Sequence, residues 1–460
     1  MATAAVRLRE AVFAKSPRVW RDGGMSDLAS YLDAALASLR AGRLVVGFSG
    51  GLDSTVLLHA LASSSRARAR GLHAIHIDHA LHADSASWAE HCRGFAAQLD
   101  VSLESVRVAV DRSGGTGLED AARVARRAAF AGAMQADDIL VLAQHRDDQA
   151  ETVLLKLLRG AGPEGLGGMR ALREFGAGWL WRPLLELNRA DLQRYAKAHA
   201  LPWVDDPSNA QTELRRNFLR REILPRLAQR WPDADIALAH AAAAARAAAE
   251  FIDAEARKAL ARLQGLDPAT LDWQGWLDLP DALRDPVLRL WLRELALDEP
   301  THLHVRELER QLREADVDRM PCVSFAQTEL RRYRNLLYAK TPDMPLPEDW
   351  QAKWDGTAAL HLPDGSVLSL QPARQFDPPL QVGYRRGGEQ LRPPGGKHTR
   401  ELRLLLQEAG VPPWQRGRLP LIRQNEVLLA VGDLLLSEAG AAWRDRFDVE
   451  IVLTPAHGER

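Results

Sequence analysis

The stretch VVGFSGGLDSTVLLHALASS, residues 45–64, limits the possible folds more than any other part of the chain. An apolar run stops at Ser49-Gly50-Gly51, Asp53 follows one residue later, and apolar residues resume at helical spacing. A glycine-rich turn between a buried strand and a helix brings bare backbone up to a ligand. The unpaired N–H groups and positive dipole end of the helix then favour an anion, most often phosphate. The common phosphate loop ends in Gly-Lys-Ser/Thr, and no lysine is present here. Gly50 and Gly51 permit close approach, Ser49 and Ser54 offer hydroxyls, and Leu52 opens the helix. Asp53 would repel a bare phosphate, but it fits a magnesium ion bridging it to phosphate oxygens. The turn is therefore expected to hold the pyrophosphate portion of ATP, with Asp53 as a Mg2+ ligand. A plain capped turn, with Asp53 or Ser54 as the cap, uses the same residues.

The following segments alternate. Residues 43–48, 72–78, the VSLESVRVAV segment and 139–143 read as short apolar strands. Residues 53–63, 87–99, 118–135 and 147–159 read as helices. This pattern predicts an α/β fold with a parallel, doubly wound sheet covered on both faces, and ligands beyond the carboxyl ends of its strands. Three polar stretches fall there: Ser49–Ser54, Asp78–His82 and Gln144–Glu151. Beyond residue 230 the texture becomes helical, over 234–263, 281–297 and 301–315. The proline-rich TPDMPLPEDW opens a linker, LHLPDGSVLSL reads as a hairpin with an Asp-Gly turn, and residues 420–436 suggest another hairpin. The expected division is an N-terminal extension 1–25, a catalytic domain 26–230, a helical domain 231–340, a linker 341–372 and a small α+β domain 373–460.

A chain of 460 residues exceeds one ordinary core. It has no apolar run long enough for a membrane span and no signal core, which favours the cytoplasm. Cys92 and Cys322, the two cysteines, exclude a disulfide framework and a thiolate zinc site. The net charge of −1 does not exclude a nucleic-acid partner, because local patches set the field. Arg215, Arg216, Arg220, Arg221, Arg226 and Arg230 form one basic cluster; Arg385, Arg386, Arg392, Lys397, Arg400 and Arg403 form another. His76, His79 and His82 have the look of a metal cluster, but strand alternation splits them between faces, so Asp78 and His79 are expected instead to line a nucleotide pocket.

SGGLDS resembles the signature of the PP-loop ATP pyrophosphatases, an adenine nucleotide alpha hydrolase-like fold. Later segments resemble one family within it, the tRNA(Ile)-lysidine synthetases. They are IDHALHADSASWAEHC (77–92), GLEDAARVARRAAF (117–130), LVLAQHRDDQAETVLLKLLRGAGPEGLGGM (140–169), WVDDPSNAQTELRRNFLRREILPRL (203–227) and RRGGEQLRPPGGKHTRELRLLLQEAGVPPWQRGRLPL (385–421). The family often has His-His before the acidic pair, where this chain has Gln144-His145. The resemblance implies ATP-dependent ligation of free L-lysine to the wobble cytidine of tRNA(Ile) bearing the anticodon CAU. The 2-carbonyl oxygen would be adenylated, and the lysine ε-amine would then displace AMP. Asp148 and Glu151, three apart on one helix face, are expected to recruit the lysine, with Asp147 pointing elsewhere. His145 is expected to contact the reacting base or nucleotide, and Arg123 to neutralise phosphate charge. Both arginine clusters are expected to face tRNA, Trp203 is read as core rather than a stacking platform, and a homodimer is one assembly to test. The rival readings are a tRNA thiolase of the same superfamily, which would need paired cysteines, and a non-catalytic nucleic-acid-binding protein.

Overall fold

The computed structural model describes residues 28–79, 84–109, 118–205, 215–316, 319–347 and 349–455. The expected 1–25 extension, His82 and the PSNAQTEL part of the late motif lie outside them. The chain divides into two compact units, Met1–Phe251 and Ile252–Arg460.

The first unit opens with α1 (Leu28–Ala37), β1 (Leu44–Gly47), α2 (Leu52–Ala62), α3 (Ser65–Ala69), β2 (Leu72–Asp78), α4 (Ser85–Gln98) and β3 (Ser102–Arg107). It continues with α5 (Leu118–Ala133), β4 (Ile139–Val141), α6 (Arg146–Leu157), α7 (Pro163–Leu166), β5 (Leu172–Phe175), β6 (Gly178–Trp181) and α8 (Arg189–Ala198). The sheet runs β3-β2-β1-β4-β6-β5, parallel throughout except for the β5–β6 pair. That edge hairpin turns at Gly176-Ala177, with Gly176 at φ 57° in the first turn position, and the sequence reading did not include it.

Leu44, Val46, Ile139 and Val141 enter one apolar cluster with Leu57, Leu58 and Trp181, whereas Val45 and Leu140 enter another with Phe130 and Leu180. A strand buried on both faces needs apolar residues at every position, which is why these strands read as unbroken runs. Trp203 packs against the first cluster, as core.

The strand order reverses at β1. The chain passes from β1 outward to β2 and β3, then returns to the other side of β1 as β4. The turns after β1 and β4 therefore open side by side at the switch point, where open α/β sheets bind ligands.

In the second unit, helices Ala234–Leu263 (which begins in the first unit), Asp281–Glu294 and His302–Glu314 match the helical expectation. The helical region also carries an antiparallel sheet of Thr270–Asp272, Leu336–Lys340, Thr328–Tyr333 and Cys322–Phe325 that the sequence reading missed. Its turns place Ala326 and Arg334 at φ 47° and 53°, so the left-handed positions carry no glycine or asparagine to signal them. Residues 341–372, expected to be a linker, contribute strands Gln351–Trp354, Leu360–His361 and Val367–Gln371 to sheets completed by Leu380–Gly383 and Glu450–Thr454. Trp354, Leu368 and Leu370 belong to the apolar core of that region, which an unstructured linker would leave exposed. The Asp364-Gly365 hairpin is present, with Gly365 at φ 84°, as is the 420–436 hairpin through Asn425-Glu426.

Gly50 sits at φ +80°, and a Cβ there would lie 2.9 Å from Cys92 Sγ. Gly50→Ala is expected to lower the unfolding free energy by about 1–3 kcal/mol, read from denaturant unfolding, with the loop displaced from α4.

Candidate active site

The turn after β1 is braced from within. Ser49 and Ser54 hydroxyls lie 3.1 Å apart, Ser54 Oγ donates to the Gly51 carbonyl at 3.0 Å, and Thr55 Oγ1 donates to the Gly50 carbonyl at 3.3 Å. The Val204 N–H donates to the Gly50 carbonyl at 2.9 Å, and His76 Nδ1 bonds the Phe48 carbonyl at 3.0 Å, which makes Nδ1 the protonated nitrogen. His76 is thereby committed to supporting the loop. Gly51 is the extended N-cap of α2, and Leu52, its first residue, is buried.

Asp53 projects from the first turn of α2 toward the residues that follow β4. Its Oδ2 lies 3.6 Å from His145 Nε2, and its Oδ1 lies 3.9 Å from Arg189 Nε. His145 is the N-cap of α6 and is 1% exposed. Its Nδ1 lies 3.2 Å from Asp147 Oδ2 and its Nε2 lies 3.4 Å from Asp148 Oδ2. Burial alone would strip the proton from this ring. The surrounding carboxylates, Asp147 and Asp53 foremost and then Asp148, outweigh it and push the His145 pKa up to about 10. Asp147 is drawn down to about 2 against the effect of burial, because His145 and the Arg189 backbone N–H, 2.8 Å away, hold its charged form. Asp147 does point away from Glu151, as expected, but it is part of the site. Asp53, His145, Asp147 and Arg189 form a charge ring that joins α2, α6 and α8, closed at Asp147 through the Arg189 backbone N–H and left open at 3.9 Å between Arg189 Nε and Asp53 Oδ1.

Asp148 and Glu151 do share a face, and Arg220 spans both. Its Nη2 lies 2.7 Å from Asp148 Oδ1, and its Nε lies 2.5 Å from Glu151 Oε1. Glu151 is fully buried, and burial pushes its carboxyl above the ordinary range despite Arg220. Burial opposes the Arg220 charge, yet Glu151 and Asp148 hold its pKa above the usual value. The sequence reading placed Arg220 among the tRNA-facing arginines. The structure turns it inward, because residues Leu219–Ile223 form a π-helical turn that shifts the helical register, a distortion frequent at functional sites. Arg215, Arg221, Arg226 and Arg230 of the same cluster are exposed.

Gln144, the departure from His-His, accepts from Arg182 Nε at 2.9 Å. Arg182 is buried and also donates to the Arg170 carbonyl, which gives Gln144 a structural role. Asp78 is buried and accepts from Arg107 Nε at 3.2 Å. His79 follows it, with Nδ1 buried and lacking a hydrogen-bond partner, and burial and then Arg126 lower its pKa. Arg123 is exposed on α5; its charge and that of Arg216 both act on Arg126, and Arg216 also acts on Glu151. Arg189 and Asp147 carried no signal in the sequence beyond the first position of a helix, after its Asn188 cap, and an acid in a first turn.

Cys92 lies buried beneath Gly50, with its thiol pushed up to about 12 by burial, unsuited to carrying sulfur. In the second unit, five arginines of the 385–403 cluster are paired with acids: Arg385 with Glu389, Arg386 with Asp349, Arg392 with Glu438, Arg400 with Glu408 and Arg403 with Glu401. Lys397 is exposed.

A divalent cation was tested against these residues. Asp53 Oδ1 is a buried carboxylate oxygen without a hydrogen-bond partner, a hard ligand left open. Among the described residues no group of three or more His, Cys, Asp or Glu is arranged as a metal cage. The donor set thus suits an ion shared with phosphate oxygens rather than one enclosed by protein.

Residues 25–227 match the PP-loop domain family, 271–338 the TilS substrate binding domain and 380–452 the TilS substrate C-terminal domain. Over 402 residues the chain is 45% identical to the tRNA(Ile)-lysidine synthase of Xanthomonas campestris pv. campestris strain 8004, spanning 87% of this chain and 92% of that one. Identity is 47% over 406 residues with the enzyme of that name from Xylella fastidiosa strain Temecula1, again covering 87% and 92%. It is 43% over 450 residues with that of Pseudomonas aeruginosa PAO1, covering 91% and 96%.

Replacing Arg220 by methionine leaves Glu151 buried without its partner. Arg220→Met is expected to lose about 3–5 kcal/mol of stability at pH 7. The loss should vanish as pH falls below the unfolded glutamate pKa of about 4.3, because the carboxyl is then protonated in both states; urea unfolding at several pH values reads both.

Proposed function

Because this chain belongs to the tRNA(Ile)-lysidine synthase family, we propose that it ligates free lysine to the wobble cytidine of tRNA(Ile), with ATP as the activating substrate, at the cluster around Asp53 and His145. The observation that carries this placement is convergence. The glycine turn after β1 and the acidic helix start after β4, far apart in sequence, meet within 3.6 Å at the sheet's switch point.

The first step places AMP on the cytidine. The 2-carbonyl oxygen attacks the α-phosphorus, and the bond to the bridging oxygen breaks with its electron pair leaving on pyrophosphate. The turn of Ser49, Gly50, Gly51 and Ser54 would cradle the phosphates, and Asp53 would hold Mg2+. When bound, that ion draws negative charge off the phosphate oxygens. His145, held as an imidazolium, cannot serve as a base at neutral pH. It fixes Asp53 and Asp148 in place and balances their charge.

In the second step the lysine ε-amine attacks C2, and the C2–O bond breaks to release AMP. The amine must first lose a proton, since its ordinary pKa is about 10.4. Asp148 and Glu151 receive the ammonium. Burial raises the Glu151 carboxyl, which suits it to accept a proton. Arg220 now occupies both carboxylates and must share or yield them. The exposed Arg215, Arg221, Arg226 and Arg230 face the tRNA backbone, which makes affinity fall with salt. The paired arginines of 385–403 contribute shape and hydrogen bonds more than net charge. Among the described residues no helix is long and apolar enough to cross a membrane, and a reaction using free tRNA and lysine belongs in the cytoplasm.

Labelled lysine should enter tRNA(Ile) with ATP, and neither glutamine nor sulfide should replace it. Asp53→Ala should cut pyrophosphate release by about 10²–10³-fold. Glu151→Gln should raise the lysine KM while tRNA-dependent pyrophosphate release persists. An Asp53→Ala enzyme with full turnover contradicts the assignment of that carboxylate.

A further inference from the structure

Several buried or half-buried ion pairs in the first unit close to hydrogen-bonding distance, while the exposed Arg68–Asp100 pair, at 4.0 Å, does not. Arg43 meets Asp138 at 2.7 and 3.2 Å, Arg146 meets Asp235 at 2.7 Å, and Arg220 meets its two carboxylates at 2.7 and 2.5 Å. The Arg189–Asp53 pair does not close. Arg189 Nε and Asp53 Oδ1 stand 3.9 Å apart, and both atoms are buried without a hydrogen-bond partner. Two buried polar atoms left unsatisfied across a gap are costly, and such a pair calls for a missing partner. Arg189 can only donate and a carboxylate can only accept. A partner that offers an oxygen to the arginine and a donor or positive centre to the aspartate satisfies both. A phosphate group carrying a divalent cation presents both.

We propose that Arg189 is a catalytic residue that grips the pyrophosphate portion of ATP and the pyrophosphate that departs. This rests on the reading of the Asp53 turn as the ATP site. The backbone of Arg189 is fixed: its N–H donates to Asp147 Oδ2 at 2.8 Å, and Asn188 caps α8 by accepting from the Asp191 N–H at 2.8 Å. Its side chain is 39% exposed and has one long contact, so the head can turn from Asp53 to an arriving phosphate. His145 cannot make that move, since three carboxylates hold a ring that is 1% exposed. When the α-phosphorus bond to its bridging oxygen breaks, the electron pair moves onto pyrophosphate, and the guanidinium fork meets the charge that accumulates there.

The test is binding of magnesium pyrophosphate to the full chain by isothermal titration calorimetry, with lysine KM measured alongside. Removing one charge-assisted contact from Arg189→Ala is expected to weaken pyrophosphate binding roughly 10- to 100-fold, and Arg189→Lys should restore part of it. The lysine KM should stay within about twofold. Thermal melting identifies any variant that fails to fold, and Arg189→Gln, which keeps the side chain's length and polarity, then replaces alanine. Pyrophosphate affinity unchanged in the folded variants, or lost in step with lysine affinity, overturns the assignment. A wild-type protein that binds no magnesium pyrophosphate overturns the ATP-site reading itself, and Arg189 falls with it.

Discussion

A protonated histidine in a nest of carboxylates is the constraint around which the catalytic unit is organised. Asp53, Asp147 and Asp148 come from two helices and would repel one another in a buried site; the His145 imidazolium makes their approach favourable. Its raised pKa adds stability that is fully present below the unfolded value of about 6.5 and is lost as pH rises through about 10. The depressed pKa of Asp147 acts at the other end, adding stability above about 3.9 that is lost as pH falls through about 2. The arrangement is thus intact at neutral pH, and Asp53 keeps one oxygen open within it.

The same economy of charge governs Asp148 and Glu151. Glu151 is fully buried, and only a cation at its side makes its charge tolerable there. Arg220 supplies that cation from a π-helical turn, and under the proposed function it holds the place a lysine ammonium would take. The segment bearing Arg220 also bears the exposed Arg215, Arg221, Arg226 and Arg230, so one short stretch of chain supplies both the inward partner of Asp148 and Glu151 and a basic surface.

Much of this was legible in the sequence. The runs at 43–48 and 139–143 became β1 and β4, because strands buried on both faces are near-continuously apolar, and 72–78 became β2 although His73, His76 and Asp78 interrupt its apolar residues. SGGLDS and the Asp148–Glu151 stretch lie where the sequence reading put them, after β1 and after β4. Features that depend on contacts distant in sequence were not legible. Nothing in a residue count shows that Arg220 turns inward, since a π turn breaks the 3.6-residue rule, or that Arg189 stands opposite Asp53 from 136 positions away. The second unit's four-stranded sheet escaped notice because its turns use Ala326 and Arg334 where glycine is the usual sign. The basic stretch at 385–403 read as a positive patch, but its acidic partners include Asp349 and Glu438, which lie outside it.

The most direct measurement is the protonation state of His145, followed by NMR of ring-labelled protein against a His145→Gln spectrum that assigns the signal. An imidazolium signal that persists to pH 8 and titrates near pH 10 is the predicted result. A ring that titrates near 6.5, as an ordinary histidine does, would contradict the charge ring and the account of the site built on it.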